Sequence, residues 1–226
     1  MAPAIISHRG LCRTRPRSRR RGENTLDAFA AGIDALVSLG IPPAIEFDVR
    51  RAADGRLVVI HDATLRRAFA VRGRVSAHTA GELGELGVPR LEAVLERFGA
   101  AELHLEIKER GIAAAVASTI RSAADRIVVS SFLWKQLPPL RRHCRIALTS
   151  MLPTRRLVRA AVDMGAWAIH PDYRRTTARL VVAAHEAGLR VNAWTVNSPR
   201  AYGRMTRIGV DAVFSDNPFF LAARRD

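Results

Sequence analysis

From residue 103 onward, short apolar runs alternate with longer amphipathic ones, and this rhythm limits the fold more than any other feature of the sequence. Strands are expected at 103–107, 127–130, 145–148, 167–169, 189–194 and 212–215. Helices fit between them at 112–124, 133–143, 154–164, 177–187 and 199–208. Upstream, Ala4-Ile5-Ile6-Ser7 reads as a buried strand. A helix capped by Asn24 or Thr25 runs to about Leu39, with Leu26, Phe29, Ile33 and Leu36 on one face. Gly40 and Pro42-Pro43 stop it. Strands follow at 44–49 and 57–60 around the turn Ala53-Asp54-Gly55-Arg56, with irregular chain to Gly87 and a helix at 91–98. About eight main strands, each with a helix after it, make an α/β chain of the (β/α)8 TIM-barrel pattern. The competing doubly wound sheet calls for a glycine-rich phosphate loop after its first strand, and none is present. With 226 residues, the expectation is a single domain over 1–226, with an arginine-rich loop at 11–22 and a small excursion at 52–90.

In such a barrel, chemistry gathers at the C-terminal ends of the strands. Ile45-Glu46-Phe47-Asp48-Val49 sets two carboxylates two residues apart in an apolar run. Alternation points both to one face, with Ile45, Phe47 and Val49 on the other. Like charges side by side repel, so a cation between them or a wet edge is implied, and the apolar flanks argue against the edge. A structural ion pair with some of the many arginines is the competing explanation. Glu106 repeats the pattern on the next long strand, with Lys108 on its face and His104 one layer deeper. His8 and Arg9 end the first strand, and His61-Asp62 closes the strand at 57–60. Ser130 and Ser131, Trp194, Thr195 and Asn197, and Asp216 and Asn217 end others. His170, before Pro171, sits at a strand end within reach of a ligand. His104 reads as a hydrogen-bonded inner-layer residue, and His78, His143 and His185 as surface or helix positions.

His8-Arg9-Gly10, Glu23-Asn24-Thr25, Glu46-Phe47-Asp48, His61-Asp62, Leu105-Glu106-Ile107-Lys108, Trp194-Thr195-Val196-Asn197, Gly209-Val210-Asp211 and Ser215-Asp216-Asn217-Pro218 resemble, in order, the motif series of glycerophosphodiester phosphodiesterases. The resemblance runs from Ile5 to Pro218. It implies metal-dependent hydrolysis of glycerophosphodiesters to an alcohol and glycerol 3-phosphate. One divalent ion, Ca²⁺ or Mg²⁺, is held by Glu46, Asp48 and Glu106, a hard all-oxygen set. His8 and His61 form the acid/base pair, and Arg9 and Lys108 bind the phosphate. Glu23 orients Arg9 or joins the metal's outer shell, Asn24 contacts phosphate, and Trp194 walls the glycerol or alcohol moiety. These roles suit the chemistry: cations neutralise charge growing on the phosphoryl oxygens while two imidazoles carry protons in and out. The attacking group is water or the neighbouring glycerol hydroxyl. The same site would also serve a lysophospholipase D-like or sphingomyelinase D-like enzyme acting on lipid. A barrel that binds phosphate or nucleic acid without turnover is the remaining alternative.

The chain departs from the family pattern beside the predicted mouth. The loop between the His8 and Glu23 motifs is long and arginine-rich, and Arg66 stands in Thr64-Leu65-Arg66-Arg67 where the family has aspartate. Thirty-six basic against 21 acidic residues give a formal charge of +15, nearly all of it arginine. The partner expected is a small phosphodiester, with the segment from Arg13 to Arg21 steering anions or touching an anionic membrane surface. Nucleic acid is not expected, since no aromatic-interleaved basic motif is present. Cys12 and Cys144 have no metal-type spacing. No apolar run spans a bilayer and residues 1–7 lack a signal-peptide start, so a cytoplasmic location is expected.

Overall fold

The computed structural model describes residues 2–13 and 22–222. The segment 14–21, and with it nearly all of the predicted arginine loop, lies outside the described residues. Among the described residues nine strands are present: β1 Ala4–His8, β2 Ala44–Arg51, β3 Leu57–Val59, β4 Glu102–Ile107, β5 Ile127–Ser131, β6 Arg145–Ser150, β7 Ala168–Pro171, β8 Arg190–Ala193 and β9 Ala212–Ser215. The helices are α1 Leu26–Ser38, α2 Arg66–Phe69, α3 Ala80–Glu85, α4 Leu91–Arg97, α5 Ala113–Thr119, α6 Arg155–Asp163, α7 Ala178–Glu186, α8 Pro199–Ile208 and α9 Phe219–Ala222. Every strand but β3 pairs in parallel with its neighbours, and β1 closes the ring by pairing with both β2 and β9. This is the closed eight-stranded (β/α)8 barrel expected from the strand–helix rhythm.

Alternation along each strand builds two cores. Ile45, Phe47 and Val49 point outward into the layer shared with the helices. Phe29 of α1 meets Phe47 at 5.8 Å and Phe98 at 5.9 Å between ring centroids. Thr25, not Asn24, caps α1 by accepting from the Ala28 N–H. Inside the barrel, Ile6, Ala44, Ala212 and Phe214 form one apolar group and Val128, Ala147 and Ala168 another. These small plugs fill the lower barrel and leave the upper end for polar residues.

Two predicted helices come out differently. Residues 133–143 form two short 3₁₀ turns, Trp134–Gln136 and Pro138–Arg142. Pro138 and Pro139 lack the N–H groups that an α-helix through that stretch would use. The predicted helix at 112–124 is α-helical only to Thr119 and then tightens into a 3₁₀ stretch, Arg121–Arg126. The excursion read as irregular holds α2, α3 and a 3₁₀ turn at Val75–Ala77, packed on an apolar group that includes Val58, Ile60, Leu65, Val75 and Leu83. No helix among the described residues is long and apolar enough to cross a membrane.

Candidate active site

Strand register brings the polar residues together at the C-terminal end of the barrel. His8 lies beside Glu46 across β1 and β2, and Asp48 lies beside Glu106 across β2 and β4. His104 pairs with Glu46, one step below Glu106, and is fully buried. His61 arrives by another route. β2 overshoots Asp48 by three residues, and β3 returns antiparallel to it. The Ile60 N–H then donates to the Asp48 carbonyl at 2.8 Å, which puts His61 back at the level of the carboxylates. The hairpin at the start of the excursion is therefore what delivers a second imidazole to the mouth.

The β1–α1 turn shapes the opposite side. Gly10 has φ +79°, and a Cβ there would lie 2.4 Å from the Ala28 carbonyl carbon. Arg9 and Asn24 also adopt left-handed backbone, at φ 58° and 61°. For arginine that conformation costs about 1–3 kcal/mol, offset here by its contacts. Arg9 Nε reaches Asp48 Oδ2 at 2.9 Å and its Nη1 reaches Glu23 Oε1 at 3.2 Å. The Asn24 side chain donates to Asp48 Oδ2 at 2.9 Å and accepts from the Asp48 N–H at 3.3 Å.

A cavity of about 440 Å³ opens over these groups. His8, Arg9, Glu46, His61, Glu106 and Lys108 line its charged side. Phe132, Met151, Trp194 and Phe214 line the apolar side, with His170 and Thr149 between. Trp194 donates its indole N–H to the His170 carbonyl at 2.7 Å and stacks edge-on against Phe132. Of the predicted site residues, Asp48, Glu23 and Asn24 do not line the cavity: Asp48 is fully buried beneath Arg9, and Glu23 and Asn24 contact Arg9 and Asp48 from behind. Asn24 puts its amide oxygen and one N–H of its amide nitrogen on Asp48.

Electrostatics separates the three carboxyls. Burial opposes ionisation of Asp48, but Arg9 and Lys108 hold its carboxyl well below the usual range. Burial and the charge of Asp48 push Glu46 well above it. Glu106 is also raised by burial and by Asp48, against the pull of Lys108, whose ammonium lies 2.7 Å from it and 3.3 Å from Asp48. Oxygen atoms of Glu46, Asp48 and Glu106 all lie within 4.8 Å of one another. Glu46 Oε2 is buried and accepts no hydrogen bond; its nearest counter-group is His8 Nε2 at 3.7 Å. Three converging carboxylates, two of them with a buried oxygen that accepts no hydrogen bond, suit a divalent cation.

Each imidazole is backed by a carboxylate. His8 Nδ1 sits 2.6 Å from Asp216 Oδ1, and Asp216 Oδ2 accepts from Asn197 at 2.7 Å and forms an ion pair with Arg13 Nε at 2.7 Å. His61 Nδ1 sits 2.6 Å from Asp62 Oδ1, and Arg67 bridges Asp62 to Glu23. An ionised carboxylate only accepts, so each Nδ1 donates and each Nε2 points away from its carboxylate. Burial, with Arg9 and Lys108, lowers the His61 pKa against the opposing charge of Asp48. Burial and the neighbouring His104 place the His170 pKa well below the ordinary value, so that ring is neutral. Sequence reasoning noted Asp62, Asp216 and Asn197 as strand-end polar residues without assigning them; adjacency to a motif histidine was the only signal available for Asp62. Arg67, Phe132, Thr149 and Met151 carried none.

The comparisons agree along nearly the whole chain. Residues 8–219 match the model of the glycerophosphoryl diester phosphodiesterase family. A glycerophosphodiester phosphodiesterase of Caldanaerobacter subterraneus subsp. tengcongensis is 29% identical, with 96% of each chain covered. The crystal structure of a glycerophosphodiester phosphodiesterase from Thermotoga maritima superposes with a TM-score of 0.82 at 25% identity, covering 96% of this chain and 95% of that one. One from Agrobacterium tumefaciens gives 0.77 at 28% identity, covering 98% and 99%.

Proposed function

Because the chain belongs to the glycerophosphoryl diester phosphodiesterase family and is a phosphoric diester hydrolase, we propose that it cleaves glycerophosphodiesters to an alcohol and glycerol 3-phosphate, with His8 and His61 as its proton carriers. The observation that carries this is the pair of carboxylate-backed imidazoles on one cavity that also holds two fixed cations, Arg9 and Lys108. Arg9 and Lys108 bind the phosphodiester oxygens and neutralise charge as the bond to the leaving alcohol breaks. One Nε2 takes the proton of the attacking hydroxyl, from water or from the substrate glycerol, and the other returns a proton to the departing oxygen. Glu46, Asp48 and Glu106 would hold one Ca²⁺ or Mg²⁺, which supplies Lewis-acid neutralisation of phosphoryl charge when bound. Glu23 and Asn24 position Arg9 and Asp48. Trp194 and Phe132 take the apolar part of the alcohol. That wall supports a second reading, in which the alcohol carries an acyl chain, as in a lysophospholipid. Arg13 contacts Asp216, and the rest of the loop to Arg21 steers anions toward the mouth or touches an anionic membrane surface.

A release assay over aqueous glycerophosphodiesters and a micellar lysolipid, run in EDTA and with added Ca²⁺ or Mg²⁺, tests the proposal. Metal-restored turnover of the aqueous panel is expected; no turnover of any member under any condition refutes it. Glu46→Gln removes one charged oxygen donor and is expected to weaken metal affinity about 10- to 100-fold by calorimetry. Unchanged affinity rules out Glu46 as a ligand.

A further inference from the structure

The helices of a (β/α)8 barrel start on the face that carries the active site, so their first turns ring the mouth. Helix dipoles favour acidic residues there and basic ones at the far end. On one side of this barrel the first turns are basic instead. The first turn of α6 holds Arg155 and Arg156, that of α7 Arg179 and that of α8 Arg200, with no acidic residue in any of the three. All four arginines are exposed, and none has an ion-pair or hydrogen-bond partner among the described residues. At the far ends, α6 closes on Asp163 and α7 on Glu186 next to His185, while α8 keeps the ordinary basic residue, Arg207. Four unpaired guanidiniums at the unfavourable end of their helices do not stabilise the fold. Charges so placed suit a negative partner that approaches the mouth from outside.

The same face carries exposed apolar side chains. Leu152 is 63% exposed, Met151 50%, Phe219 47% and Phe132 40%, and each follows the C-terminal end of a strand. Met151 and Phe132 continue outward from the apolar wall of the cavity. The Arg175 guanidinium donates to the Met151 carbonyl at 3.1 Å and fixes a further positive charge at the tip. Small soluble anions need no exposed leucine, and a nucleic-acid backbone gives it nothing to bury against. An anionic lipid surface satisfies both features, with acyl chains for the tips and phosphates for the arginines.

We propose that the active-site face docks on anionic lipid bilayers, with Leu152 and Met151 entering the headgroup–acyl boundary and Arg155, Arg156 and Arg179 facing lipid phosphates. The residues named for it all lie among the described ones, and it does not depend on which phosphodiester the cavity cleaves. Docked this way, the protein presents its cavity to molecules held in the interface.

The test is co-sedimentation of the full chain with vesicles of equimolar phosphatidylglycerol and phosphatidylcholine, and with vesicles of phosphatidylcholine alone. The wild type is expected on the anionic vesicles and not on the neutral ones. Arg155→Gln with Arg156→Gln is expected to weaken partition roughly 10- to 30-fold, at about 1 kcal/mol per charge. Leu152→Ser is expected to weaken it several-fold. Both variants should turn over glycerophosphocholine, a soluble glycerophosphodiester of no net charge, at the wild-type rate, a control that also separates failure of this proposal from failure of the assigned activity. No sedimentation of the wild type with anionic vesicles overturns the proposal. So does wild-type partition by both variants. A Leu152→Ser effect of zero alongside equal binding to double-stranded DNA means a general polyanion site and overturns it, as does self-association that buries Leu152 without lipid.

Discussion

His8 and His61 reach the cavity from different strands, and each keeps a carboxylate on its far nitrogen. That arrangement fixes the tautomer before substrate arrives, because Asp216 and Asp62 can only accept. Replacing either histidine by alanine is expected to lower kcat about 10²- to 10⁴-fold while the circular dichroism spectrum stays native; near wild-type kcat in either variant removes that residue from proton transfer. Asp62→Asn acts one step back. The Asp62 carboxylate raises the His61 pKa against burial, so its loss should shift the limb of the pH–rate profile that reports His61 to lower pH. The accompanying fall in kcat is expected to be about 10- to 100-fold. His170 makes a stability prediction. Its folded-state pKa lies well below 6.5, so above pH 6.5 the ring is neutral whether folded or unfolded. As pH falls below 6.5, the unfolded chain takes up a proton that the folded one refuses, and stability declines by about 1.4 kcal/mol per pH unit from this residue. In His170→Gln that contribution vanishes, so denaturation midpoints followed from pH 7.5 to pH 5 should fall less steeply than in the wild type. Parallel slopes would show that His170 protonates freely in the fold. The motif histidines and Lys108 were legible in the sequence because each follows or ends a strand, and the carboxylate pair because it alternates with Ile45, Phe47 and Val49 inside one. Phe132 and Met151 were not, since one aromatic or methionine after a strand looks like any loop residue until the barrel closes.

Elements carry the site by their connections more than by their interiors. The β1–α1 turn needs left-handed backbone at Gly10 and space against Ala28. Gly10→Ala is expected to destabilise the protein by roughly 2–4 kcal/mol, combining strained backbone with a backbone clash. Urea denaturation measures this; a loss below about 1 kcal/mol would mean the turn relaxes at little cost. The same turn sets Arg9 on Asp48, so the surviving folded fraction should also show a raised KM. Most strands were readable because parallel strands buried on both faces give continuous apolar runs, such as Ile127-Val128-Val129. The stretch 133–143 was misread because its apolar spacing suits a helix while its two prolines forbid one. The excursion was illegible for a different reason. Its elements are too short to show a period, and α2 and α3 span only four and six residues. Yet this weakly patterned segment begins with the hairpin that returns His61 to the barrel mouth and holds the Arg67 that ties Asp62 to Glu23.

At the scale of the whole molecule the dominant quantity is a formal charge of +15. Composition cannot say whether such a charge is spread evenly or aimed. The fold answers in part, because Arg155, Arg156, Arg179 and Arg200 all fall where helices leave the active-site face. A field aimed at the mouth raises the encounter rate of anions and leaves the bound complex unaffected, since it acts across solvent that salt screens. The expected signature is a kcat/KM for glycerophosphoglycerol, which carries one net negative charge, that falls several-fold as ionic strength rises from about 0.01 to about 0.3 M. kcat should hold steady over that range. Glycerophosphocholine has the same diester and no net charge, so its kcat/KM should vary far less. Equal salt slopes for the two substrates would mean that salt acts on the site itself, through Arg9, Lys108 or the bound cation, and the arginine ring would then have no part in capture.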